Sequence, residues 1–374
     1  MKLKYLLTTT AVALLPASGG FADGHALPEC ENCADTMTLM SWGGAYQASQ
    51  IKAYAEPYAE LTGVEIIWDE SSNQAVAKVR AAAEAGNMTY DLVDVEGPQS
   101  QILCDEGLAV EVDVDEILAP GDDGSSPSDD FADAIINDCF IPQIVFSTTF
   151  GFRSDNDWAA APGDLCALFD TENFPGKRAL EKRPKKNIEW ALLCDGVAKE
   201  ELYDVLDEDG VDRALAKLDT IKDDVVWWSA GAETPQLLAD GEVVMGSTYN
   251  GRLFSAIVEQ DQPIEMLWDW QVFDYDGWAI PEGLSDERMN RVKHFLAFAT
   301  DTQRLADQAK YISYGPARAS SQPLVSTHAE LGVEMGPHMP TNPANQVNFL
   351  VNNIEWWADN QDDVEARFQN WLAQ

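Results

Sequence analysis

Basic side chains are scarce in this chain. Lysine and arginine together number 24 against 64 aspartates and glutamates, a formal net charge of −40. Nucleic acid binding needs cationic surface facing the phosphates, so this composition excludes it as a general role. Histidine is scarcer still, and the four residues His25, His294, His328 and His338 show no metal-ligand spacing. There is no GxSxG elbow, no GxxxxGK[ST] phosphate loop and no HExxH helix. "DVDVDE" at 112–117 and "DEDG" at 207–210 lack the remainder of a calcium loop. Apart from the N-terminus, no apolar run is long enough for a membrane-spanning helix. What the many carboxylates leave open is a glycosidase-like acid pair, although none is singled out. The acidity speaks first of a solvated surface and only second of a cationic ligand.

The N-terminus is different. Lys2 and Lys4 precede the apolar run "YLLTTTAVALL", then Pro16 and small residues to Ala22. This pattern predicts a secretory signal over 1–22, too short in its apolar part to be retained as a span, and a polar leader over 23–36. The expected product is a soluble, exported, periplasmic protein, a monomer without cofactor. Its size exceeds that of a single growing core, so two lobes are expected. Hydrophobic content of 45% and twelve tryptophans argue for a packed globule. Six cysteines in an exported chain point to disulfides, with the pairing left open. Cys30 and Cys33, in "CENC", sit in a polar leader rather than between a strand and a helix. A short-loop disulfide is the expectation there, ahead of redox chemistry or metal binding with His25.

Strand and helix signals alternate along the chain. "TMTLMSW" reads as a strand, and "QASQIKAYAEPYAELTG" as a helix with Ile51, Tyr54, Tyr58 and Leu61 on one face, a kink at Pro57 and a stop at Gly63. Strand "VEIIWDE", helix "NQAVAKVRAAAEAG", strand "YDLVDVEG" and a helix over 98–107 follow; residues 119–130 read as an acidic loop. "IPQIVFSTTFGFR" is long enough to leave one lobe and enter another. A second series contains helices "NIEWALLCDG", "VDRALAKLDTIK" and "ETPQLLADGE" and strands "VVWW" and "VVMGSTYN". "MLWDWQVFDYDGWAIP" is a second crossing. "SDERMNRVKHFLAFAT" opens with a serine cap and Glu287 in a capping-box pattern, and the tail from Asn345 reads as amphipathic helix. The alternation predicts an α/β fold with a mostly parallel sheet. Two crossings predict a ligand cleft between lobes. Trp42 (followed by Gly43 and Gly44), Tyr249, Tyr275, Asp276, Trp278 and Tyr314 fall at strand ends or crossings, where that cleft opens. Aromatic faces with a carboxylate suit an ammonium ion. A metal receptor built on Tyr249, Tyr275 or Tyr314, and an exported hydrolase using cleft carboxylates, are the competing readings.

"LMSWGGAY", "YDLVDVEG", "LLADGEVVMGSTYNGR", "DGWAIP" and "SYGPA", in this order and spacing, resemble the periplasmic solute-binding proteins of spermidine/putrescine (polyamine) ABC transporters. The resemblance runs from about residue 37 to the end. It implies a type II two-lobe fold without catalysis, a small amine or zwitterionic amino-acid-like ligand such as γ-aminobutyrate, and delivery to an inner-membrane ABC permease. Residues 37–148 with 275–312 would form lobe 1, and 149–274 with 313–374 lobe 2. On that division Cys104 and Cys139 share one lobe and Cys166 and Cys194 the other. The resemblance implies ligand contacts from Trp42, Tyr46, Glu96, Ser229, Tyr249, Asp276 and Tyr314. Two positions depart from the polyamine pattern. Asp274 stands where an aromatic is expected, and the basic run "KRALEKRPKK" at 177–186 stands where acidic residues grip a second ammonium. A basic group there suits a zwitterion, with Arg183 as the carboxylate fork. The alternative for this run is a surface patch, one that contacts the permease among the options.

Overall fold

The computed structural model describes residues 27–374; the expected signal at 1–22 and His25 lie outside the described residues. Ten strands form one sheet: β1 (Thr36–Met40), β2 (Glu65–Asp69), β3 (Leu92–Glu96), β4 (Ile141–Arg153), β5 (Arg178–Glu181), β6 (Val225–Trp228), β7 (Met245–Tyr249), β8 (Ile264–Ala279), β9 (Gly315–Pro316) and β10 (Phe349–Val351). The order is β2-β1-β3-β8-β4-β7-β5-β6, with β10 beside β8 and β9 beside β4. The trios β2-β1-β3 and β7-β5-β6 are internally parallel, as the strand–helix alternation predicts. The joints β3–β8, β8–β4 and β4–β7 are antiparallel, so the sheet is mixed rather than mostly parallel. The reason is geometric: β4 leaves one trio for the other and β8 runs back beside it.

The two crossings pair along most of their length, with register shifts at Pro142/Ile144 and Thr148/Phe150. Such irregularities bend and twist a strand pair. Gly277 is required where they begin, because a Cβ there would stand 2.3 Å from the Ile141 carbonyl oxygen.

On one flank of the crossings, Met37, Leu39, Tyr54, Tyr58 and Phe295 form a core, and Met40, Val79, Val93 and Phe140 another. On the other flank Phe150, Trp190, Leu215, Trp357 and Phe368 pack together. Disulfides join Cys104 to Cys139 and Cys166 to Cys194, one on each flank, and Cys30 to Cys33 near the N-terminus.

Several elements differ from expectation. The first long helix is α1 (Gly44–Gln50), a π-turn over Ile51–Ala55, and α2 (Glu56–Thr62), ending at Gly63 with φ +74°. The wider turn immediately precedes Pro57, whose missing N–H interrupts the regular hydrogen-bond ladder. Tyr54 and Tyr58 face the core as expected, whereas Leu61 is 48% exposed. Arg178–Glu181, read as part of a basic surface run, is the central strand of its trio. Ser285 caps helix Asp286–Ala299 by position but not by side chain. Arg288 occupies the third helical position and binds the Asp91 carboxylate at 2.5 Å, so no capping box forms. The tail contributes β10 before its helix begins at Ile354, with Asn353 accepting from the Trp356 N–H at 3.0 Å. That last helix buries Trp357, Val364, Phe368 and Trp371, at about 1.5–3 kcal/mol for each large side chain.

Candidate functional site

Side-chain alternation along paired strands places four carboxyl groups on one face of the sheet. Glu96 lies directly opposite Asp276 in the β3–β8 register, with Asp94 two residues before Glu96 and Asp274 two before Asp276. Opposite them on β4, Ile144 pairs with Asp276 and Phe146 with Asp274. Tyr46, Ile144, Phe146, Ile312 and Tyr314 form a separate small cluster over this face, and Trp42 and Tyr249 pack against it. Tyr46 and Tyr314 ring centroids are 6.0 Å apart, and Phe146 and Tyr249 pack edge to face with centroids 5.6 Å apart.

Tyr46, one turn into α1, reaches into the acidic end. Its hydroxyl lies 3.2 Å from Asp94 Oδ1 and 3.1 Å from Asp276 Oδ1, and also contacts Gln143 Oε1. Gln50 donates to Asp94 Oδ2 at 2.6 Å. One phenol proton cannot serve three acceptors, so a proton on the carboxyl pair is the stable arrangement. Burial pushes Asp94 up to about 7, against hydrogen bonds that favour its anion. Burial and the neighbouring Asp94 raise Asp276 well above the usual carboxylate range.

Two residues along the face the charge changes sign. Lys185 Nζ sits 3.3 Å from Glu96 Oε2 and 3.1 Å from Asp274 Oδ2, and Lys186 Nζ 3.4 Å from the same Asp274 oxygen. Both lysines are buried, at 6% and 1% exposure. The Lys186 ammonium lies 5.6 Å from the ring centres of both Phe146 and Tyr249. Burial alone pushes Glu96 up, but Lys185, Lys186 and Arg183 together hold it down to about 2. Burial works against charge on Lys185, yet Asp274 and Glu96 raise it above its ordinary value.

A locally braced turn presents these lysines. Lys186 has φ +78°, and its N–H donates to Glu189 Oε2 at 2.8 Å. Glu189 also accepts from the Trp357 indole at 2.7 Å and the Tyr203 hydroxyl at 3.1 Å. Asn187 ties the turn to the Glu181 and Arg183 carbonyls at 2.8 and 2.7 Å.

Arg252 has a different standing. It follows Tyr249 by three residues, in helix Asn250–Phe254. Its guanidinium lies over Gly44, where a Cβ would meet Nη1 at 3.2 Å. Its Nε is buried without a partner, and the guanidinium makes no hydrogen bond or ion pair among the described residues. Tyr314 packs by Gly251 in the same helix, where a Cβ would meet its ring at 2.7 Å. Burial pushes its phenol up to about 12, with Arg252 pulling down and Asp276 pushing up.

Of the residues singled out from sequence, Trp42, Tyr46, Glu96, Tyr249, Asp276 and Tyr314 are brought together here. Arg183 borders them, bound to Glu181 Oε1 through Nε at 2.7 Å and 3.5 Å from the Tyr249 hydroxyl, with its side chain 44% exposed. Ser229 is exposed beyond β6, where its N–H donates to Glu233 Oε1 at 3.0 Å. Tyr275 points to the opposite face, against the Met40–Val93 core, which separates it from Tyr249 and Tyr314. Trp278 is fully buried core, edge-on to Tyr54 at 5.8 Å. Asp94, Gln143, Lys185, Lys186 and Arg252 were not singled out. Period-two alternation from Glu96 to Asp94 was a usable signal for the first, and the position of Arg252 one helical turn beyond Tyr249 for the last.

A mixed sheet bridged by two long crossing strands, with charged and aromatic groups gathered at the crossings, defines a two-lobe solute-binding architecture. Comparison with known proteins agrees. Residues 53–341 match the bacterial extracellular solute-binding protein model, and the chain belongs to that family. It is 33% identical over 341 residues to the gamma-aminobutyric acid-binding protein of Pseudomonas aeruginosa, covering 91% of this chain and 92% of that one. The solved structure of the Atu4243 GABA receptor superposes with a TM-score of 0.77 at 30% identity, over 91% of this chain and 98% of that one. The spermidine/putrescine-binding PotD of Streptococcus pneumoniae shares the fold at 15% identity and a TM-score of 0.66, over 91% and 100% of the chains. The fold is therefore that of the periplasmic binding proteins, and the polyamine members are distant.

Proposed function

We propose that this chain is the exported receptor for a small ω-amino acid of the γ-aminobutyrate kind, which it hands to an inner-membrane ABC permease. The observation that carries this reading is the pairing of charges around the ring cluster. Glu96 and Asp274 are neutralised by Lys185 and Lys186, and Arg183 by Glu181. What remains is the Asp94–Asp276 pair and Arg252, which has no hydrogen-bond or ion-pair partner among the described residues, both close enough to influence the Tyr314 phenol. One anion and one cation beside the same ring suit an ammonium joined to a carboxylate by a short chain.

In this reading Asp276 and the Tyr46 hydroxyl receive the ammonium, and Trp42, Tyr249 and Tyr314 cover the methylenes at roughly 0.8 kcal/mol per CH₂ buried. The Arg252 fork receives the carboxylate. Arg183 borders the pocket as a further positive group, Glu96 lines it as the partner of Lys185, and Ser229 contributes no contact in this reading. The lobes are 37–148 with 275–312 and 149–274 with 313–374, pivoting on β4 and β8, with one exception. Residues 315–321 are hydrogen-bonded to Gln143, Asp130 and Thr302, so we assign them to the first lobe. Ligand bridging both lobes would shift the population toward the closed form. The relative from Pseudomonas and the Atu4243 receptor, both named for this amino acid, support the ligand class.

Isothermal titration with 4-aminobutanoate tests the reading. One site per chain and an unaltered ligand on recovery are expected. Turnover of an amide or glycoside would instead support a hydrolase.

A further inference from the structure

The four carboxyls on the sheet face amount to two subsites, and only one lacks a cationic side chain among the described residues. Asp276 and Asp274 are two residues apart on one strand, about 7 Å along it, close to the separation of the nitrogens in an extended four-carbon diamine. The first subsite is the Asp94–Asp276 pair with Tyr46. The second, Glu96 with Asp274, already holds an ammonium: that of Lys185, at 3.3 and 3.1 Å. Lys186 adds a second positive charge against the same Asp274 oxygen. The turn that carries them is fixed by Glu189, Asn187 and the indole of Trp357, so Lys185 is held in place rather than swung in from solvent.

We infer that Lys185 is a specificity-determining residue: its side-chain ammonium fills a second ammonium subsite and thereby excludes diamines. A diamine seated at Asp276 would bring its far ammonium against Lys185 and Lys186, a like-charge contact in a buried site. A neutral or anionic far end meets no such penalty. Rejection is built from an occupying charge as well as from attraction to the correct ligand. The inference rests on the ω-amino acid reading, because it takes Asp276 as the ammonium end.

The test is titration of the full chain with 4-aminobutanoate and with 1,4-diaminobutane, for wild type, Lys185→Ala and Lys185→Arg. The readout is the ratio of the two affinities. Lys185→Ala is expected to move that ratio toward the diamine by at least 100-fold, and Lys185→Arg, which keeps the charge, by less than threefold. Should Lys185→Ala fold poorly, because Glu96 and Asp274 lose their partner, millimolar 1,4-diaminobutane is expected to raise its melting temperature by more than 4-aminobutanoate does. A Lys185→Ala protein whose ratio stays within threefold of wild type, or whose fold the diamine fails to restore, overturns the inference and leaves the ω-amino acid reading standing. Wild type that binds neither compound, or binds the diamine as tightly as the amino acid, overturns both.

Discussion

The Tyr46 hydroxyl stands 3.1 Å from Asp276 Oδ1 and joins α1 to a strand 230 residues further along the chain. That contact ties the first helix to the second crossing at the point where the ammonium is received in our account. Asp276→Asn is therefore expected to weaken 4-aminobutanoate at least 100-fold in titration calorimetry, since it removes the carboxylate of the pair that receives the ammonium. Tyr46→Phe removes one hydrogen bond to a charged group, about 1.5–3 kcal/mol, or roughly 10- to 150-fold.

Arg252→Gln should weaken 4-aminobutanoate by about 100-fold while leaving the melting temperature of the free protein within a few degrees, because its guanidinium has no hydrogen-bond or ion-pair partner to lose among the described residues. Arg252→Lys should recover only part, as an ammonium lacks the planar fork. Arg183→Ala should cost less than Arg252→Gln, because Arg183 is held by Glu181 and its side chain is partly exposed. Equal losses from both would place the carboxylate nearer Arg183.

The Asp94–Asp276 pair makes both stability and binding depend on pH. In the unfolded chain an aspartate titrates near about 3.9, whereas folding raises Asp94 to about 7. Between these values the folded protein holds a proton that the unfolded chain has lost. The stabilisation is full below about pH 4 and is lost as pH rises through about 7. Glu96, held down to about 2, contributes in the opposite sense: present above about pH 4.3 and lost toward 2. Melting temperature should fall from pH 5 to pH 8 in wild type and fall less in Asp94→Asn. Ligand ammonium favours the ionised pair, so binding at pH 6 should release up to one proton, read from calorimetry in two buffers of different ionisation heat. Asp94→Asn should reduce that release to what Asp276, still raised by burial, contributes.

Replacing Cys166 and Cys194 together by alanine should cost about 3 to 4 kcal/mol in denaturant unfolding, the chain-entropy value for a loop of this size, with ligand affinity within threefold. Cys104 and Cys139 should behave alike. Each bridge lies within its own flank of the crossings and does not join one flank to the other.

Much of the fold was legible from periodicity, since β1, β3, β4, β7 and β8 are short apolar or alternating runs that bury what they display. The antiparallel joints were not legible, because alternation reports local crossovers and not the direction in which a long strand returns. In the site, Tyr249, Asp276 and Tyr314 were legible from their positions at strand ends or crossings, and Tyr46 only from the resemblance. The basic run misled in part. Its charges suggested solvent or an arginine fork, whereas Arg178 is buried in a strand and Lys185 and Lys186 turn inward. Their partner is Asp274, the other departure from the polyamine pattern, and only the fold brings positions 185 and 274 to 3.1 Å. Arg252 was missed because an unpaired charge is a property of surroundings, not of sequence.

The most direct test of the central claim is a paired titration of the wild-type chain with 4-aminobutanoate and 1,4-diaminobutane at neutral pH. The account predicts one site for the amino acid and at least 100-fold weaker binding of the diamine. Diamine affinity equal to or greater than that for the amino acid would contradict it.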